Sequence, residues 1–348
     1  MKIKKHILRS AFMSLLALVS TINVFAENHS KERIENERYD PVPDIMHHIK
    51  DSHEWHFWGK GEQSATIPLP VILYTAGKWD IFMSSRFNHG KSTVKKGNRI
   101  YSIDDHGEII EKSGASIINL SITKNVASML MSVLLLFFLL RKTAVGYKNK
   151  NQAPKGVQAF LEPLVLFVRN DIIKSNIGPK HEKYTIFLLT VFFFILINNL
   201  TGMMPGSANV TGNISVTLVL SVFTFIITTI SANKNYWKHI FNPPTPLALM
   251  PIMVPIEIFG IFTKPFALMI RLFANITAGH IIILSLVCLI FQASNNGVDV
   301  AAGWSVAPLS VVFVLFIMLI ELLVAFLQAY IFTLLSAVFI GLAVSEDH

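Results

Sequence analysis

Five apolar stretches dominate the pattern of hydrophobic and polar positions along this 348-residue chain. A helix needs about 20 predominantly apolar residues to cross the hydrocarbon core of a bilayer. The pattern therefore predicts an all-α polytopic membrane protein with about five membrane-embedded helices. The stretches cover residues 127–140 (with a start nearer residue 120), 184–200, 214–230, 248–291 and 304–344.

The last two stretches are longer than a bilayer is thick. Helices of 44 and 41 residues would be about 60 Å long, twice the ~30 Å of the hydrocarbon core. They must tilt steeply, kink or break, and Pro251, Pro255 and Pro265 are places where the first can bend. We expect a tilted antiparallel hairpin joined by the glycine-containing segment 292–303.

A different pattern occupies residues 156–177. Apolar side chains recur there at helical spacing beside charged ones such as Glu162 and Arg169. An amphipathic helix lying at the membrane interface fits this pattern better than a spanning helix does.

The first 26 residues are organised like a secretory signal peptide. Basic residues come first, an apolar segment follows at 11–24, and Val24-Phe25-Ala26 forms a small-x-Ala cleavage pattern. We expect the mature chain to begin near Glu27, outside the cytoplasm. An uncleaved N-terminal anchor is the alternative.

Residues 27–120 are more polar and predict a small extracytoplasmic N-terminal region ahead of a membrane domain at 121–345. The segment Gly90-Lys91-Ser92-Thr93 lacks the first glycine and the following helix of a phosphate-binding loop, so no nucleotide site is expected. Gly and Pro interrupt strand-like pieces, which lie at 66–74, 79–84 and 99–103.

Four histidines, His47, His48, His53 and His56, lie within ten residues of one another and among aromatic side chains. Imidazoles grouped in this way can bind zinc or another metal. The favoured interpretation is instead an aromatic, histidine-rich helix that docks on the membrane rim or on a partner. No metal and no cofactor is therefore assigned.

The distribution of Lys and Arg predicts the orientation of the chain. With the mature N-terminus outside, the cytoplasmic segment 141–183 has nine of these residues and the cytoplasmic loop 233–247 has two. The outer loops at 201–212 and 292–303 have none. This agrees with the positive-inside rule and places the C-terminus in the cytoplasm. The net charge of +8 is thus explained by membrane topology rather than by nucleic-acid binding.

Composition supports the membrane assignment, since 52% of the residues are apolar and only 15% are charged. The single cysteine, Cys288, lies in a hydrophobic run. It excludes an intrachain disulfide framework and a multi-cysteine metal site, and we expect it to be a small packed apolar residue.

The apolar run at 248–291 contains four residues that are unexpected in a bilayer: Glu257, Lys264, Arg271 and His280. A charged side chain at the bilayer centre costs about 3 kcal/mol on insertion scales and far more in simulations. At 100° per residue, Arg271 and Asn275 share one face near mid-membrane, whereas His280 lies on the opposite side. Glu257 is about 21 Å away from Arg271 along the axis, toward the cytoplasm.

In the last stretch, Glu321 and Gln328 are seven residues apart and share a face. Intramembrane carboxylates and imidazoles positioned in this way can form a proton path, because both groups titrate and relay through water. Structural alternatives stay open. The carboxylates and His280 can form buried pairs, the two amides can bond neighbouring helices, Lys264 can snorkel, and Arg271 can be a member of an ion pair.

At these residues the chain resembles subunit a of F-type ATP synthases. The resemblance covers residues 120–345. It rests on Arg271-Leu-Phe-Ala-Asn275-Ile-Thr-Ala-Gly279 with Glu257 and Lys264-Pro265 upstream, on Leu327-Gln328-Ala329-Tyr330-Ile331-Phe332, and on Asn198-Asn199-Leu200 through Pro205.

The resemblance implies a proton-conducting stator subunit of a rotary ATP synthase that does not itself bind nucleotide. Arg271 would face the rotor ring of c subunits, make an incoming ring carboxylate release its proton, and block a leak between two aqueous half-channels. Arginine suits this role because it stays protonated at any working pH. Asn275 and Gln328 would be its polar neighbours. Glu257 would lie on the cytoplasmic exit side, and His280 with Glu321 in the outer half-channel.

The resemblance also implies partners and a location. The partners would be the c-subunit ring, the b-subunit peripheral stalk, the remaining ATP synthase subunits and the lipid of a bacterial inner membrane, without nucleic acid. Many bacterial members have glutamate where this chain has His280, and histidine where it has Glu321. The interchange leaves one carboxylate and one imidazole on facing helices.

Three alternatives remain. The first is a Na⁺-coupled version of the same subunit, because the c subunit supplies the main ion-binding carboxylate. The second is a secondary transporter that uses Arg271 to bind an anionic substrate, although the chain lacks the internal repeats typical of that class. The third is a structural or assembly protein whose extracytoplasmic region binds a partner.

Overall fold

A computed structural model gives the fold. It describes residues 39–58, 65–88, 90, 92–104, 107–146, 156–204, 206–243, 245–246 and 249–345. The expected signal peptide, Pro205 and Lys91 lie outside these residues. The chain divides into two compact units. The first takes in the chain up to Lys50, Glu54–Asn119 and His280–Met318, and the second takes in Asp51–His53, Leu120–Gly279 and the chain from Leu319.

The first unit contains eight short strands in the part of the chain that is described, arranged as three antiparallel sheets. Their orders are β1-β2, β4-β3-β8 and β5-β6-β7. The strands are β1 (Glu54–Trp58), β2 (Ala65–Pro68), β3 (Pro70–Thr75), β4 (Lys78–Met83), β5 (Val94–Lys96), β6 (Arg99–Ile103), β7 (Ile109–Glu111) and β8 (Ile117–Asn119).

All three strand predictions are confirmed, with one difference. The stretch predicted at 66–74 is two strands, β2 and β3, which belong to different sheets. Pro68 and Pro70 flank the break at Leu69, and proline cannot donate the ladder hydrogen bond that a continuous central strand requires.

A buried cluster packs sheet β4-β3-β8 against sheet β5-β6-β7. Its larger members include Leu73, Phe82, Phe87 and Tyr101. The Tyr101 hydroxyl donates to Asp80 Oδ2 at 2.8 Å, and Arg99 Nη2 lies 3.1 Å from the same oxygen. Burial raises the pKa of the Tyr101 phenol, and the adjacent carboxylate raises it further. This neutral phenol and ion pair connect the two sheets.

The histidine-rich segment is only partly helical. Helix α1 (Val42–Ile49) holds His47 and His48, whereas Trp55, His56 and the residues after them form β1. The interpretation of the whole segment as one helix is therefore wrong for residues 54–58. Strand pairing explains the difference. Residues 54–58 pair with β2 in an antiparallel ladder, in which Trp55 lies opposite Ile67.

Eight-residue α1 packs on the apolar end of a long helix of the same unit. Tyr39 and Ile45 form a buried cluster with Cys288, joined by Ile49, Leu284 and Phe291. The Tyr39 hydroxyl lies 3.9 Å from Cys288 Sγ. The prediction that Cys288 is a small packed residue is confirmed, because it is buried in this cluster.

The second unit is helical, and residues 280–318 of the last two helices belong to the first unit. Five helical segments are long and apolar enough to span a membrane, and this confirms the predicted count among the described residues. The helices are α2 (Lys124–Gly146), α3 (Val157–Phe167), α4 (Glu182–Gly202), α5 (Ile214–Ser231), α6 (Lys234–Phe241), α7 (Met250–Ala293) and α8 (Val300–Val344).

Some boundaries differ from the sequence prediction. Helix α2 begins at Lys124 and continues through Arg141 and Lys142 to Gly146, so those two cations belong to the helix rather than to a loop. The short helix α6 was not predicted at all. It carries the aromatic residues Tyr236 and Trp237 inside a segment whose two lysines indicated only a cytoplasmic loop.

The amphipathic prediction for residues 156–177 is confirmed in its pattern. Helix α3 continues through a π-helical turn (Val168–Lys174) to Ile177. Val168, Ile172 and Ile173 on this segment are buried, whereas Arg169 and Lys174 are exposed. Gly178 has φ +73° and separates the segment from α4, a backbone conformation that glycine adopts readily.

Helix α4 is at the centre of the second unit. Leu188, Phe192 and Ile195 on it are fully buried in one cluster with residues of α2, α3, α7 and α8. Polar side chains also hold α4 in place. Ser132 of α2 donates to Asn198 Oδ1 at 3.0 Å, and Asn199 Nδ2 donates to the Ala325 carbonyl of α8 at 3.1 Å.

The two long helices are continuous. Helix α7 has 44 residues and includes Pro255 and Pro265, and α8 has 45 residues. At 1.5 Å per residue each is about 66 Å long. Neither helix breaks, so tilting or bending remains as the way to fit them into a bilayer. A turn with Asn295, Asn296 and Gly297 at positive φ joins them.

Gly341 marks the closest approach of α8 to the end of the amphipathic segment. A Cβ atom at this position would lie 2.1 Å from the carbonyl oxygen of Asn176. We expect Gly341→Ala to destabilise the second unit by about 1–3 kcal/mol, the usual range for overpacking. Thermal unfolding of the detergent-solubilised full chain measures this.

Gly260→Ala is the matched control, because a Cβ at Gly260 of α7 meets no atom within 4 Å. This variant should be unchanged or more stable by up to about 1 kcal/mol, the helix-propensity difference between Ala and Gly. Equal melting temperatures for the two variants would contradict the close approach at Gly341.

Candidate functional site

Arg271 lies on the outward face of α7. It and Asn275 are both exposed, and the neighbouring exposed positions on that face include Ala267, Ala274 and Ala278. Within the described residues, no hydrogen bond or ion pair engages either polar side chain. The interpretation of Arg271 as a member of an intrachain ion pair is therefore not supported. The guanidinium is accessible to a group outside the described chain that contacts this face.

The opposite face of α7 holds the helix on the second unit. Leu268, Leu272 and Ile276 are buried at helical spacing and belong to the central cluster. Thr277 donates to the Gly212 carbonyl at 3.4 Å. Arg271 is thus carried by a rigid element whose inner face is packed.

Glu321 of α8 lies against Gly279 of α7. A Cβ at Gly279 would come within 2.8 Å of the Glu321 Oε1 atom and 3.2 Å of its Cδ. Glu321 is only 5% exposed. The glycine at the end of the Arg271–Gly279 motif therefore provides the space for the carboxyl group, next in sequence to half-buried His280.

Two contacts set the level of α8 along α7. Glu321 lies at Gly279, and the Lys264 Nζ atom lies 5.6 Å from the centre of the Phe339 ring. The two helices therefore run antiparallel through this region, and Arg271 lies within about one turn of Gln328 along the axis. Gln328 is 5% exposed, on the buried side of α8.

A second polar group lies nearer the start of α7. A cavity of about 20 Å³ is lined by Lys264, Tyr236, the α5 residues Thr224 and Thr228, and several apolar side chains. A space of this size holds one water molecule. Thr224 Oγ1 also lies 3.4 Å from Ser336 Oγ of α8. Hydroxyl groups of α5 and α8 thus lie beside this cavity, between α5 and the hairpin.

Glu257 is electrostatically connected to this group. Burial raises the pKa of the Tyr236 phenol, and the negative charge of Glu257 raises it further. Tyr236 was not expected at the site. Its position in an apparently polar loop gave no sign that α6 would place its ring beside α7.

The distances divide the predicted site residues into three levels. Glu257 precedes Arg271 by about 21 Å along α7, and Gly279 follows it by about 12 Å. Arg271 and Asn275 therefore lie between the Glu257 group and the Glu321 group. Sequence reasoning missed Gly279 as a packing residue, although its place at the end of the motif was visible.

The histidine group does not form a described metal site. No cluster of three or more His, Cys, Asp or Glu able to hold a metal occurs among the residues whose side chains are described. The His47 side chain lies outside that set. His48, His53 and His56 each take part in other interactions.

Two family models match the chain. The model described as ATP synthase A chain matches residues 126–341. The model described as Domain of unknown function (DUF8433) matches residues 44–127. The first match includes all the helices that carry the candidate site, and the second covers the strands of the first unit.

Individual relatives agree with the first match. The chain is 50% identical over 238 residues to ATP synthase subunit a of Chloroherpeton thalassium, which covers 66% of this chain and 69% of that protein. It is 50% identical over 261 residues to ATP synthase subunit a 2 of Chlorobaculum tepidum, with coverage of 72% and 71%. ATP synthase subunit a of Myxococcus xanthus is 43% identical over 263 residues, with coverage of 73% and 83%.

A matched family model that spans five apolar helices, together with relatives at this level of identity, establishes the family. The chain therefore belongs to the ATP synthase A chain family and is a multi-pass, non-catalytic membrane subunit of a rotary ATP synthase.

Proposed function

We propose that the chain conducts protons between the two sides of the membrane and the rotor, with Arg271 as the residue that separates two half-channels. The observation that carries this proposal is that Arg271 is exposed between two polar groups on the same hairpin and has no hydrogen bond or ion pair within the part of the chain that the structure describes. A cation held on a lipid-facing surface needs a partner outside the chain, because an unpaired charge in a bilayer is costly.

The partner proposed for this surface is a ring of c subunits. Ala267, Ala274 and Ala278 flank Arg271 and Asn275 on the exposed face, and small side chains let a neighbouring helix approach closely. An incoming carboxylate on the ring would lose its proton near Arg271, since an adjacent positive charge favours the ionised form. The fixed charge would also repel a proton moving directly between the half-channels.

The two polar groups supply the half-channels. Glu257, Tyr236 and the hydroxyl-lined cavity form the route on the cytoplasmic side. Glu321 and His280 form the route on the outer side, and Gln328 lies on α8 at the level of Arg271.

The chain spans a bacterial inner membrane in this proposal. Its mature N-terminus lies outside, and its C-terminus lies in the cytoplasm. The b-subunit stalk and the remaining subunits complete the assembly.

The first test removes the charge of Arg271. We expect Arg271→Ala to abolish ATP-driven acidification of inverted vesicles in complexes that are fully assembled, because the ring carboxylate loses its counter-charge. Arg169→Ala is the matched control, since it removes one exposed cation from the π-helical turn outside the hairpin. Each sample is measured with and without Na⁺ to distinguish the Na⁺-coupled alternative.

Pumping that survives Arg271→Ala would reject the coupling role and favour the assembly-protein alternative. Saturable uptake of an anionic solute by the purified chain alone would favour the transporter.

A second test uses the space at Gly279. The added methyl group of Gly279→Ala would displace the Glu321 carboxyl group, so we expect reduced pumping in an assembled complex. Glu321→Asp in the same variant withdraws the carboxyl by one methylene and should restore part of the rate. Gly260→Ala is the control, because it adds the same methyl group to α7 at a position where a Cβ meets no atom within 4 Å. A double variant no better than Gly279→Ala would show that Glu321 placement is not the cause.

A third test exchanges the two titratable groups. Because a carboxylate and an imidazole can relay protons in either order, the double variant His280→Glu with Glu321→His should pump better than either single variant. Proton pumping in vesicles with equal amounts of assembled complex measures this. Equal loss in all three variants would count against a functional pair.

A further inference from the structure

Both faces of sheet β4-β3-β8 in the first unit are predominantly apolar. The inner face contributes Val71, Leu73 and Phe82 to the buried cluster. On the outer face, positions 70, 72 and 74 of β3 and positions 79, 81 and 83 of β4 are all apolar or aromatic as well. This outer sheet face consists chiefly of Ile72, Tyr74, Trp79, Ile81, Met83 and Ile118.

The outer sheet face is continuous. Ile72 is opposite Ile81 and Tyr74 is opposite Trp79 across the β3–β4 ladder, and Tyr74 is opposite Ile118 on the other side. Trp79 is 57% exposed, Ile81 63% and Ile118 56%. An antiparallel sheet with one face in water alternates apolar and polar residues. This sheet does not, so its outer face is covered in the functional protein.

One short connection joins this sheet directly to the start of a membrane-spanning helix, and a second joins another sheet of the same unit, β1-β2, to that helix end. Four residues, 120–123, separate the end of β8 from Lys124, the first residue of α2, and four extended residues reach at most about 14 Å. The chain enters β1 at Glu54, directly after a segment fixed to the same helix end. There the Ser52 carbonyl accepts from the Lys124 amide, and Asp51 accepts from the Asn125 amide.

The chemistry of the outer sheet face matches a membrane interface. Tyr74 and Trp79 form an aromatic pair with ring centres 5.0 Å apart, and Trp and Tyr are enriched where a bilayer meets water. No charged residue occupies an outward position of β3 or β4 between 70–74 and 79–83. Leu120, next to β8 and 55% exposed, extends the apolar surface toward the spanning helix.

We propose that the outer sheet face inserts into the boundary between lipid headgroups and acyl chains, on the side of the membrane where α2 begins. The bilayer is favoured over a protein partner because only four residues separate β8 from a membrane-spanning helix and the exposed aromatic side chains are those typical of a membrane interface. Amphipathic elements at this boundary bury their apolar side about 5–10 Å deep. The N-terminal region would thus be a membrane-docked module.

Lipid-quenched fluorescence tests this in the full-length chain in neutral phospholipid vesicles. An environment-sensitive dye is attached at Ile81→Cys, and Met83→Cys serves as a second position on the same face. Lys95→Cys, exposed on β5 of another sheet, is the control. Buried Cys288 makes the unsubstituted chain the labelling blank.

The dye at positions 81 and 83 should emit at shorter wavelength than at position 95. A nitroxide lipid labelled near the headgroup should quench it several-fold more strongly, and a water-soluble quencher more weakly. Equal lipid quenching at all three positions would overturn the proposal. Protection from the aqueous quencher without lipid quenching would also overturn it, since a protein surface, either another copy or another subunit, would then cover the face. The result is independent of proton pumping.

Discussion

The constraint on which the second unit depends is the free-energy cost of placing an arginine on the exposed face of a membrane-spanning helix. Arg271 is exposed and has no partner within the described chain, and a charge at the bilayer centre costs about 3 kcal/mol even on the lenient scales. No group in the described part of the chain offsets this unfavourable free energy. The fold instead packs the opposite face of α7 tightly and leaves the guanidinium exposed, as the proposed role requires.

The surrounding structure keeps α7 and α8 at a fixed level. Asn199 connects α4 to the α8 backbone at Ala325, and Gly341 lets α8 approach the amphipathic segment closely. These contacts lie on both sides of Gln328 in α8. They determine which residues of α8 lie at the level of Arg271 along the helix axis. If α8 shifted by one turn along α7, Leu327 or Phe332 would lie at a different level along α7, and Glu321 would be separated from Gly279.

Sequence patterns were sufficient for the membrane helices and insufficient for the contacts between them. Apolar length determines α2, α4, α5, α7 and α8, because a bilayer admits few other backbone structures. Helix α6 was missed because its two lysines and polar neighbours outweighed Tyr236 and Trp237 in the pattern. The common face of Arg271 and Asn275 follows from helical periodicity alone. The fit of Glu321 over Gly279 does not, because it depends on the relative level of two helices.

The N-terminal region is more than an extension ahead of the membrane helices. Its helix α1 packs Ile45 and Ile49 against Leu284, Cys288 and Phe291 of α7, and the Tyr39 amide donates to Asn295 in the turn between α7 and α8. These contacts lie on the part of α7 that begins at His280. The N-terminal region therefore stabilises the helix segment that carries His280, one of the two titratable groups of the proposed outer half-channel.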